Sequence, residues 1–260
     1  MDFDDALIRV EEAGDHLAVV RLDRPEARNA VNARLAAQLE AAVDRIERDD
    51  RVRAAILTGE GAVFCAGADL REVSDGRLDA LFTARGGFAG FVDARRRKPW
   101  IAAVNGPALA GGFEIVLACD IVVAADGARF GLPEVTRGLI ASAGGLYRLP
   151  RALPRAVAIE LIVTGRPIDA PRAHALGLVN RVVPHDDLLA AARDVAGAIA
   201  ANAPLAVRES LAIAKLAASF DDAALRAHGD AVQARLSTTG DYAEGARAFL
   251  EKRPPMWQGR

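Results

Sequence analysis

Two glutamates that stand among apolar residues have the composition and surroundings of an acid/base pair. Glu114 ends the run Gly111-Gly112-Phe113-Glu114, and Glu134 directly follows Pro133. Because burial raises the pKa of a carboxyl group, one member of such a pair can hold a proton that the other has lost. The pattern predicts general acid/base catalysis. For Glu134 taken alone, the competing interpretation is an exposed acid in the first turn of a helix.

Two loops of small residues could supply the electrostatic part of the same site. The first reads Phe64-Cys65-Ala66-Gly67-Ala68-Asp69-Leu70 and the second Ala108-Leu109-Ala110-Gly111-Gly112-Phe113-Glu114. Small side chains let a ligand approach the backbone, and a loop that enters a helix leaves N–H groups free. Taken singly, each loop could be a plain turn, the first with Asp69 as a helix N-cap. Together they predict an oxyanion hole, in which backbone N–H groups stabilise negative charge on a carbonyl oxygen.

Other familiar catalytic patterns are missing from the sequence. The segment 59–64 begins like a dinucleotide-binding loop, but Phe64 occupies the third glycine position. Neither a phosphate-binding GxxxxGK loop nor a GxSxG nucleophile elbow occurs. Cys65 and Cys119 lack metal-ligand spacing, so neither a metal site nor a disulfide is expected. The remaining candidates are expected at the surface or as caps, namely Ser142, His16, His174, His185 and His228.

Composition narrows the class of protein. The 260 residues are 52% hydrophobic and 26% charged, as in an ordinary globular protein. A formal net charge of -2 leaves no excess positive charge for a phosphate backbone, which argues against nucleic acid as the main partner. The acidic start, Met1-Asp2-Phe3-Asp4-Asp5, resembles neither a secretory signal nor a transit segment. A reduced, cytoplasmic protein is expected.

The first hundred residues predict an α/β arrangement. Two β-rich runs, residues 7–11 and 16–22, flank Ala13-Gly14-Asp15 and predict a hairpin. A buried strand is predicted over residues 52–58, and a further helix over about residues 77–97. Between the hairpin and that strand, Asn32 suits an N-cap for a helix whose apolar face comprises Leu35, Leu39, Val43 and Ile46.

The segment from Trp100 to Ala125 is long and apolar enough to suggest a membrane span. Asn105-Gly106-Pro107 and Gly111-Gly112 interrupt it, and two acids lie within it, which argues against a lipid-facing helix. The pieces instead predict strand, loop, helix and strand. Beyond residue 151 one β-rich run remains, at 178–183, and residues 187–251 have a helical pattern.

Several motifs of the sequence agree in order and spacing with those of one protein family, which makes the resemblance specific. The chain resembles the enoyl-CoA hydratase/isomerase (crotonase) family over nearly its whole length. The shared segments are Leu22-Asp23-Arg24-Pro25-Glu26-Ala27-Arg28-Asn29-Ala30, both small-residue loops, Phe130-Gly131-Leu132-Pro133-Glu134, Gly144-Gly145-Leu146-Tyr147-Arg148-Leu149-Pro150, Thr164-Gly165-Arg166-Pro167-Ile168-Asp169-Ala170 and Ala175-Leu176-Gly177-Leu178-Val179-Asn180.

The resemblance implies an α/β fold of the ClpP/crotonase type, a spiral of ββα units with a helical C-terminal trimerisation region. Residues 1–190 would form the spiral core with the active site, and residues 191–260 the oligomerisation region of a homotrimer or hexamer. Acyl-CoA thioesters would be the substrates, as in fatty acid β-oxidation. No cofactor is implied beyond the coenzyme A that the substrate carries.

The resemblance also implies roles for individual residues. The backbone N–H groups of Ala68 and Gly111 would form the oxyanion hole, while Glu114 and Glu134 would add water to a 2-enoyl-CoA. In the family the second glutamate protonates C2 and the first orients the water. The residues expected to contact the substrate are Arg24, Ala27, Arg28, Ala66, Asp69, Leu70, Gly112 and Pro133.

Departures from the family pattern leave alternatives open. Typical hydratases have Pro-Gly-Ala-Gly-Gly-Thr where this chain reads Ala141-Ser142-Ala143-Gly144-Gly145-Leu146, and a Gly-Gly-Gly run is shortened to Ala110-Gly111-Gly112. These changes point to an altered acyl pocket. An enoyl-CoA hydratase is the leading hypothesis. The alternatives are a carnitinyl-CoA dehydratase, a double-bond isomerase and a noncatalytic acyl-CoA-binding subunit.

Overall fold

The computed structural model describes residues 6–12, 14 and 16–260. In chain order the strands are β1 (Ile8–Glu12), β2 (Leu17–Leu22), β3 (Ala54–Gly59), β4 (Phe82–Thr83), β5 (Gly87–Phe88), β6 (Trp100–Val104), β7 (Ala108–Leu109), β8 (Ile121–Ala125), β9 (Arg129–Gly131), β10 (Ile168–Asp169) and β11 (Arg181–Val183). The helices are α1 (Ala33–Arg48), α2 (Leu70–Ser74), α3 (Gly111–Ala118), α4 (Gly145–Ala152), α5 (Arg155–Thr164), α6 (Ala170–Ala175), α7 (Leu188–Ala200), α8 (Pro204–Leu216), α9 (Asp222–Leu236) and α10 (Gly240–Leu250).

Two sheets organise the first two thirds of the chain. The larger has the order β1-β2-β3-β6-β8-β11, antiparallel between β1 and β2 and parallel elsewhere. Its central strands β3 and β6 are buried at every residue, as expected for parallel strands covered on both faces. The smaller sheet has the order β10-β9-β7. An isolated bridge between Cys65 and Ala108 carries the chain after β3 alongside β7.

The strands alternate between the two sheets, and this produces a repeated ββα unit. β6 of the larger sheet leads into β7 of the smaller one and then into α3. β8 leads in the same way into β9, and the chain after β3 crosses to the Cys65 bridge before α2. The predicted spiral of ββα units is therefore visible in the strand order itself.

Each face of the larger sheet is covered by apolar side chains. On one face Val20, Leu57 and Ala102 join a core that includes Leu35 and Leu39 of α1. On the other face Val19, Ile56 and Ile101 pack with side chains from α7, namely Leu188, Ala192, Ala196 and Ala200. The period of two along the strands and of three to four along the helices accounts for this division.

Several predicted elements are confirmed with small shifts. The hairpin forms between β1 and β2, although Ala13 and Asp15 of its turn and the acidic residues 1–5 lie outside the described residues. The Asn32 side chain accepts a hydrogen bond from Leu35 N at 2.8 Å and so caps α1. The segment Trp100 to Ala125 contains β6, β7, α3 and β8, as its interruptions predict.

The helix predicted over residues 77–97 is wrong. The segment instead contains a 3-10 turn at Leu78–Leu81, the short hairpin β4–β5 and further turns. Gly90 explains much of the difference, because its φ of +67° is unfavourable for other residues and an added Cβ would overlap the Ala36 carbonyl oxygen of α1. The chain must turn here to pass against α1.

The predicted helical region after residue 187 is confirmed as α7 to α10. The proposed division at residue 190 falls inside α7, which packs on the larger sheet, and the division itself stays a prediction. Within residues 6–12, 14 and 16–260, no helix combines the length and apolar character that crossing a bilayer requires.

Candidate active site

The two loops of small residues lie side by side. Leu109 N donates a hydrogen bond to the Cys65 carbonyl oxygen at 3.0 Å. A Cβ added to Gly67 would stand 2.9 Å from Gly111 N, so only glycine permits this approach. Gly67 also has a φ of +92°, which disfavours any other residue. The packing therefore brings the backbone of Ala68 and that of Gly111 to one place.

Both loops leave backbone donors unused at this point. Gly111 begins α3, where the first N–H groups of a helix have no intrahelical acceptor. In the part of the chain that the structure describes, neither Ala68 N nor Gly111 N has a hydrogen-bond acceptor. Ala110, just before the helix, has a φ of +52°, an uncommon conformation for a residue with a side chain. The arrangement can polarise a carbonyl group placed between the loops.

Glu114 lies in the first turn of α3 with only 3% of its surface exposed. Gly145 N donates a hydrogen bond of 2.9 Å to its Oε1. Burial raises the pKa of Glu114 to about 7, the Gly145 N–H group opposes this rise, and the nearby charge of Glu134 adds to it. A carboxyl group in this environment can change its protonation state near neutral pH.

Glu134 belongs to a 3-10 turn, Pro133–Arg137, and is 9% exposed. The interpretation of this residue as an exposed helix acid is therefore wrong, because α5 packs over the turn. Burial raises its pKa, while its own backbone N–H group and the charge of Arg137 act in the opposite direction. Its buried Oε2 atom has no hydrogen-bond partner among the described residues. That atom is available to a substrate or a water molecule.

A cavity of about 800 Å³ joins these features. Both glutamates and Ala68 and Gly111, the two residues predicted to form the oxyanion hole, line it. So do most of the residues predicted to contact the substrate: Arg24, Ala27, Arg28, Ala66, Asp69, Leu70 and Pro133. Gly112 is the exception. It lies behind the cavity wall, where an added Cβ would overlap the Cys65 carbonyl oxygen.

Charged residues surround one end of the cavity. Arg24 Nη1 lies 2.7 Å from Asp69 Oδ2 and 3.0 Å from the Ala30 carbonyl oxygen, so its guanidinium ties two loops together. Asp69 also caps α2, as predicted, by accepting from Arg71 N at 3.0 Å. Arg28 is exposed beside this pair. Because Arg24 is paired with Asp69, the exposed Arg28 is a positive group that an anionic ligand would meet here.

Sequence reasoning missed several residues that line the cavity. Phe82 and Phe88 come from the segment that was expected to be helical, so the β4–β5 hairpin was not connected with the site. Ser142, expected at the surface or as a cap, is exposed but lines the cavity. In the part of the chain that follows Glu134, the other missed cavity residues are Arg137, Leu139, Ile140 and Ala143. The departures noted at residues 141–146 were the available signal for this region.

Comparison with known proteins shows which family the chain belongs to. Residues 12–260 match the enoyl-CoA hydratase/isomerase family. The chain is 43% identical to a mevalonyl-coenzyme A hydratase of Aspergillus fumigatus over 94% of this chain and 92% of that protein. It is 41% identical to a carnitinyl-CoA dehydratase of Proteus mirabilis over 92% of this chain and 94% of the relative.

Comparison with solved structures identifies the fold. An enoyl-CoA hydratase from Mycobacterium tuberculosis H37Rv superposes with a TM-score of 0.94 at 41% sequence identity, covering 98% of this chain and all of that one. An enoyl-CoA hydratase from Mycobacterium marinum gives the same TM-score at 42% identity. The family match and the structural similarity both extend over nearly the whole chain. This chain therefore belongs to the enoyl-CoA hydratase/isomerase family and has the crotonase fold.

Proposed function

We propose that the chain is an enoyl-CoA hydratase that adds water across the 2,3 double bond of a 2-enoyl-CoA thioester. The observation that carries this proposal is the joint placement of Glu114, Glu134 and two free backbone N–H groups in one cavity. Relatives named as hydratases and as a dehydratase support it, since dehydration is the same reaction in reverse. The enzyme would need no cofactor apart from the coenzyme A of its substrate.

In this proposal the thioester oxygen accepts hydrogen bonds from Ala68 N and Gly111 N. Glu114 orients a water molecule, whose oxygen forms a bond to C3 while the electrons of the double bond move toward the thioester. Glu134 gives a proton to C2, and the proton that the water loses restores the protonation state of the glutamate pair. The product is a 3-hydroxyacyl-CoA, and water supplies all of the added atoms.

The first experiment follows the loss of enoyl-thioester absorbance with crotonyl-CoA and identifies the product. Formation of 3-hydroxybutyryl-CoA supports the proposal. A double-bond isomerase would instead convert 3-enoyl-CoA without adding water. Tight acyl-CoA binding with no turnover of either compound would favour the noncatalytic alternative and overturn the hydratase proposal.

A substrate with a polar acyl group is the second candidate. Ser142 and Arg137 line the cavity beside the apolar Leu139 and Ile140. A hydroxyl-bearing acyl group, such as that of dehydrated mevalonyl-CoA, would find hydrogen-bonding partners there. The positive charge of Arg137 is unfavourable for the trimethylammonium group of a carnitinyl substrate. Comparing kcat/KM for crotonyl-CoA and dehydrated mevalonyl-CoA separates these possibilities.

A bell-shaped pH dependence is expected for hydration. Burial raises the pKa of both glutamates, and their mutual repulsion opposes the loss of both protons. At low pH both are protonated and no carboxylate orients the water; at high pH both are ionised and no proton is available for C2. The value of kcat/KM should therefore fall on both sides of neutral pH, measured with crotonyl-CoA from about pH 5 to pH 10. A flat profile over this range would contradict the paired roles.

We propose that the nucleotide phosphates of coenzyme A lie near Arg28, and charge reversal at this residue tests that position. Arg28 is exposed at the charged end of the cavity. Arg28→Glu is expected to raise KM for crotonyl-CoA by about five- to tenfold with little change in kcat, and added salt should reduce the difference. The matched control substrate is crotonyl-pantetheine, which lacks the nucleotide phosphates. An equal increase in KM for both substrates would contradict this placement.

Assembly and location complete the proposal. Several apolar side chains of the C-terminal region are more than half exposed in the single chain, including Phe249, Leu250, Tyr242 and Met256. Exposed apolar groups of this kind are suited to burial between subunits. We propose a homotrimer, alone or paired as a hexamer, in the cytoplasm; light scattering on the purified protein would measure the assembly.

A further inference from the structure

The Arg148 side chain connects two segments that are distant in sequence. Its Nη1 atom donates a hydrogen bond of 3.0 Å to the Ala143 carbonyl oxygen. Its Nη2 atom donates one of 2.7 Å to the Val92 carbonyl oxygen and lies 3.3 Å from Asp93 Oδ1. A guanidinium group holds its donors in a rigid plane, so these contacts fix the separation of the two segments.

The first segment holds Glu114. Ala143 belongs to the loop that enters α4, and Gly145 is the first residue of that helix. Gly145 N donates to Glu114 Oε1 at 2.9 Å. The space is tight, since a Cβ added to Gly145 would stand 3.2 Å from the same oxygen. A Cβ added to Gly144 would overlap the Arg148 guanidinium. Movement of this loop would therefore move the carboxylate that orients the water.

The second segment supports the oxyanion hole. Val92 N donates to the Phe88 carbonyl oxygen at 3.2 Å, so Val92 lies one turn after Phe88. The Phe88 ring lies directly against Gly111, because a Cβ added to Gly111 would overlap it. The position of this segment therefore affects the N–H group that faces the thioester oxygen.

We propose that Arg148 is a positioning residue for hydration, which holds the loop that orients the Glu114 carboxylate at a fixed distance from the segment whose Phe88 ring packs on Gly111. Without this connection, the water on Glu114 and the carbonyl group on Gly111 N would lose their mutual alignment. Displacements of about 1 Å in an active site can reduce turnover by about 100-fold. The inference rests on the proposed hydratase function and extends it to a residue that need not touch the substrate.

The charge of Arg148 also acts on Glu114. Its positive charge lowers the Glu114 pKa, against the larger rise caused by burial. Four other charged groups lie around Arg148 and Glu114. Glu134 raises the Glu114 pKa, Arg137 lies near Glu134, and Asp93 lies beside Arg148. The fourth is Arg96, whose pKa is lowered mainly by burial and also by the Arg148 charge. Removing the Arg148 charge should raise the Glu114 pKa, and the acidic limb of the rate profile should move to higher pH.

Three variants distinguish the effect of the Arg148 hydrogen bonds on alignment from the effect of its charge and from a loss of folding stability. Arg148→Met removes both the charge and the connection, and Arg148→Lys keeps the charge but lacks the planar group that reaches two carbonyl oxygens. Arg151→Met is the matched control, because Arg151 is an exposed arginine on the same helix whose guanidinium, like that of Arg148, lies near the Tyr147 ring, 6.0 Å from its centroid. Circular dichroism and melting curves establish that each variant is folded.

For Arg148→Met we expect kcat for crotonyl-CoA to fall by about 10- to 100-fold, KM to change less than about threefold, and the acidic limb to shift upward. Arg148→Lys should keep the wild-type pH profile and recover part of the lost kcat. Arg151→Met should match wild type. An unchanged kcat in Arg148→Met, or a loss confined to KM, would overturn the proposal.

Hydrogen exchange of residues 141–146 gives a second readout that does not depend on turnover. Loss of the connection should speed exchange in this loop in Arg148→Met and leave it unchanged in Arg151→Met. Equal exchange in wild type and Arg148→Met would overturn the positioning role, whatever the activity. If the wild type does not hydrate crotonyl-CoA but Arg148→Met exchanges faster, the hydratase proposal fails while the connection itself stands.

Discussion

Replacing Glu134 by Gln is expected to lower kcat for crotonyl-CoA hydration by about 10²- to 10⁴-fold while substrate binding stays within a few-fold of wild type. The amide has nearly the shape of the carboxyl group but cannot deliver a proton to C2. Because Glu134 Oε2 has no hydrogen-bond partner in the described part of the protein, the substitution breaks no bond at that atom that stabilises the fold. The effect should therefore fall on the chemical step.

The measurement combines single-turnover rates with the dissociation constant of a 3-hydroxyacyl-CoA product. Glu26→Gln is the matched control, because Glu26 lines the same cavity but is exposed and distant in sequence from the proposed acid/base pair. This control should retain wild-type turnover. Retention of turnover by Glu134→Gln would show that another group protonates C2, and an equal loss of binding and rate would point to a structural role.

Replacing Gly111 by Ala is expected to lower kcat/KM by about 10²- to 10³-fold, although the backbone N–H group is retained. The added Cβ would overlap the Phe88 ring, so either the ring or the start of α3 must move. Displacing α3 moves the donor away from the position of the thioester oxygen. The loss should appear in steady-state kinetics with crotonyl-CoA.

A second substitution distinguishes this steric cause from loss of the donor. Phe88→Leu makes room for the methyl group and should restore much of the activity of Gly111→Ala. The same change should not rescue Gly111→Pro, because proline has no N–H group to donate. Phe88→Leu alone serves as the control and should stay within about tenfold of wild type. Equal rescue of both glycine variants would remove Gly111 from the proposed oxyanion hole.

Local sequence signals were sufficient for much of the fold. Asn32 and the spacing of Leu35, Leu39 and Ile46 predicted α1, because a cap and an apolar face are properties of neighbouring residues. Small residues around Gly67 and Gly111 likewise predicted two backbone loops that approach closely. The cap, the helix and the backbone of each loop taken singly depend on chain geometry within a few residues, which the sequence displays directly.

Features created by contacts between distant segments were harder to predict. Glu134 is buried in a turn that packs against α5, and α5 begins only at Arg155. Phe88 reaches the site because the chain packs closely against α1 at Gly90. The sequence of this segment has a helical pattern, so that close packing was not predicted. Arg148 donates to the main-chain carbonyl oxygens of Ala143 and Val92. Every residue has a carbonyl oxygen, so no sequence motif marks these two as the acceptors.

Because the two small-residue loops run side by side, the acyl pocket can be redesigned separately from the proposed oxyanion donors. The proposed oxyanion donors are main-chain groups held by the Cys65–Ala108 bridge, whereas Leu139, Ile140 and Ser142 line the cavity with side chains. Exchanging those side chains changes the shape and polarity offered to an acyl group without altering the backbone donors. A library confined to these three positions could therefore redirect substrate preference while thioester activation is preserved.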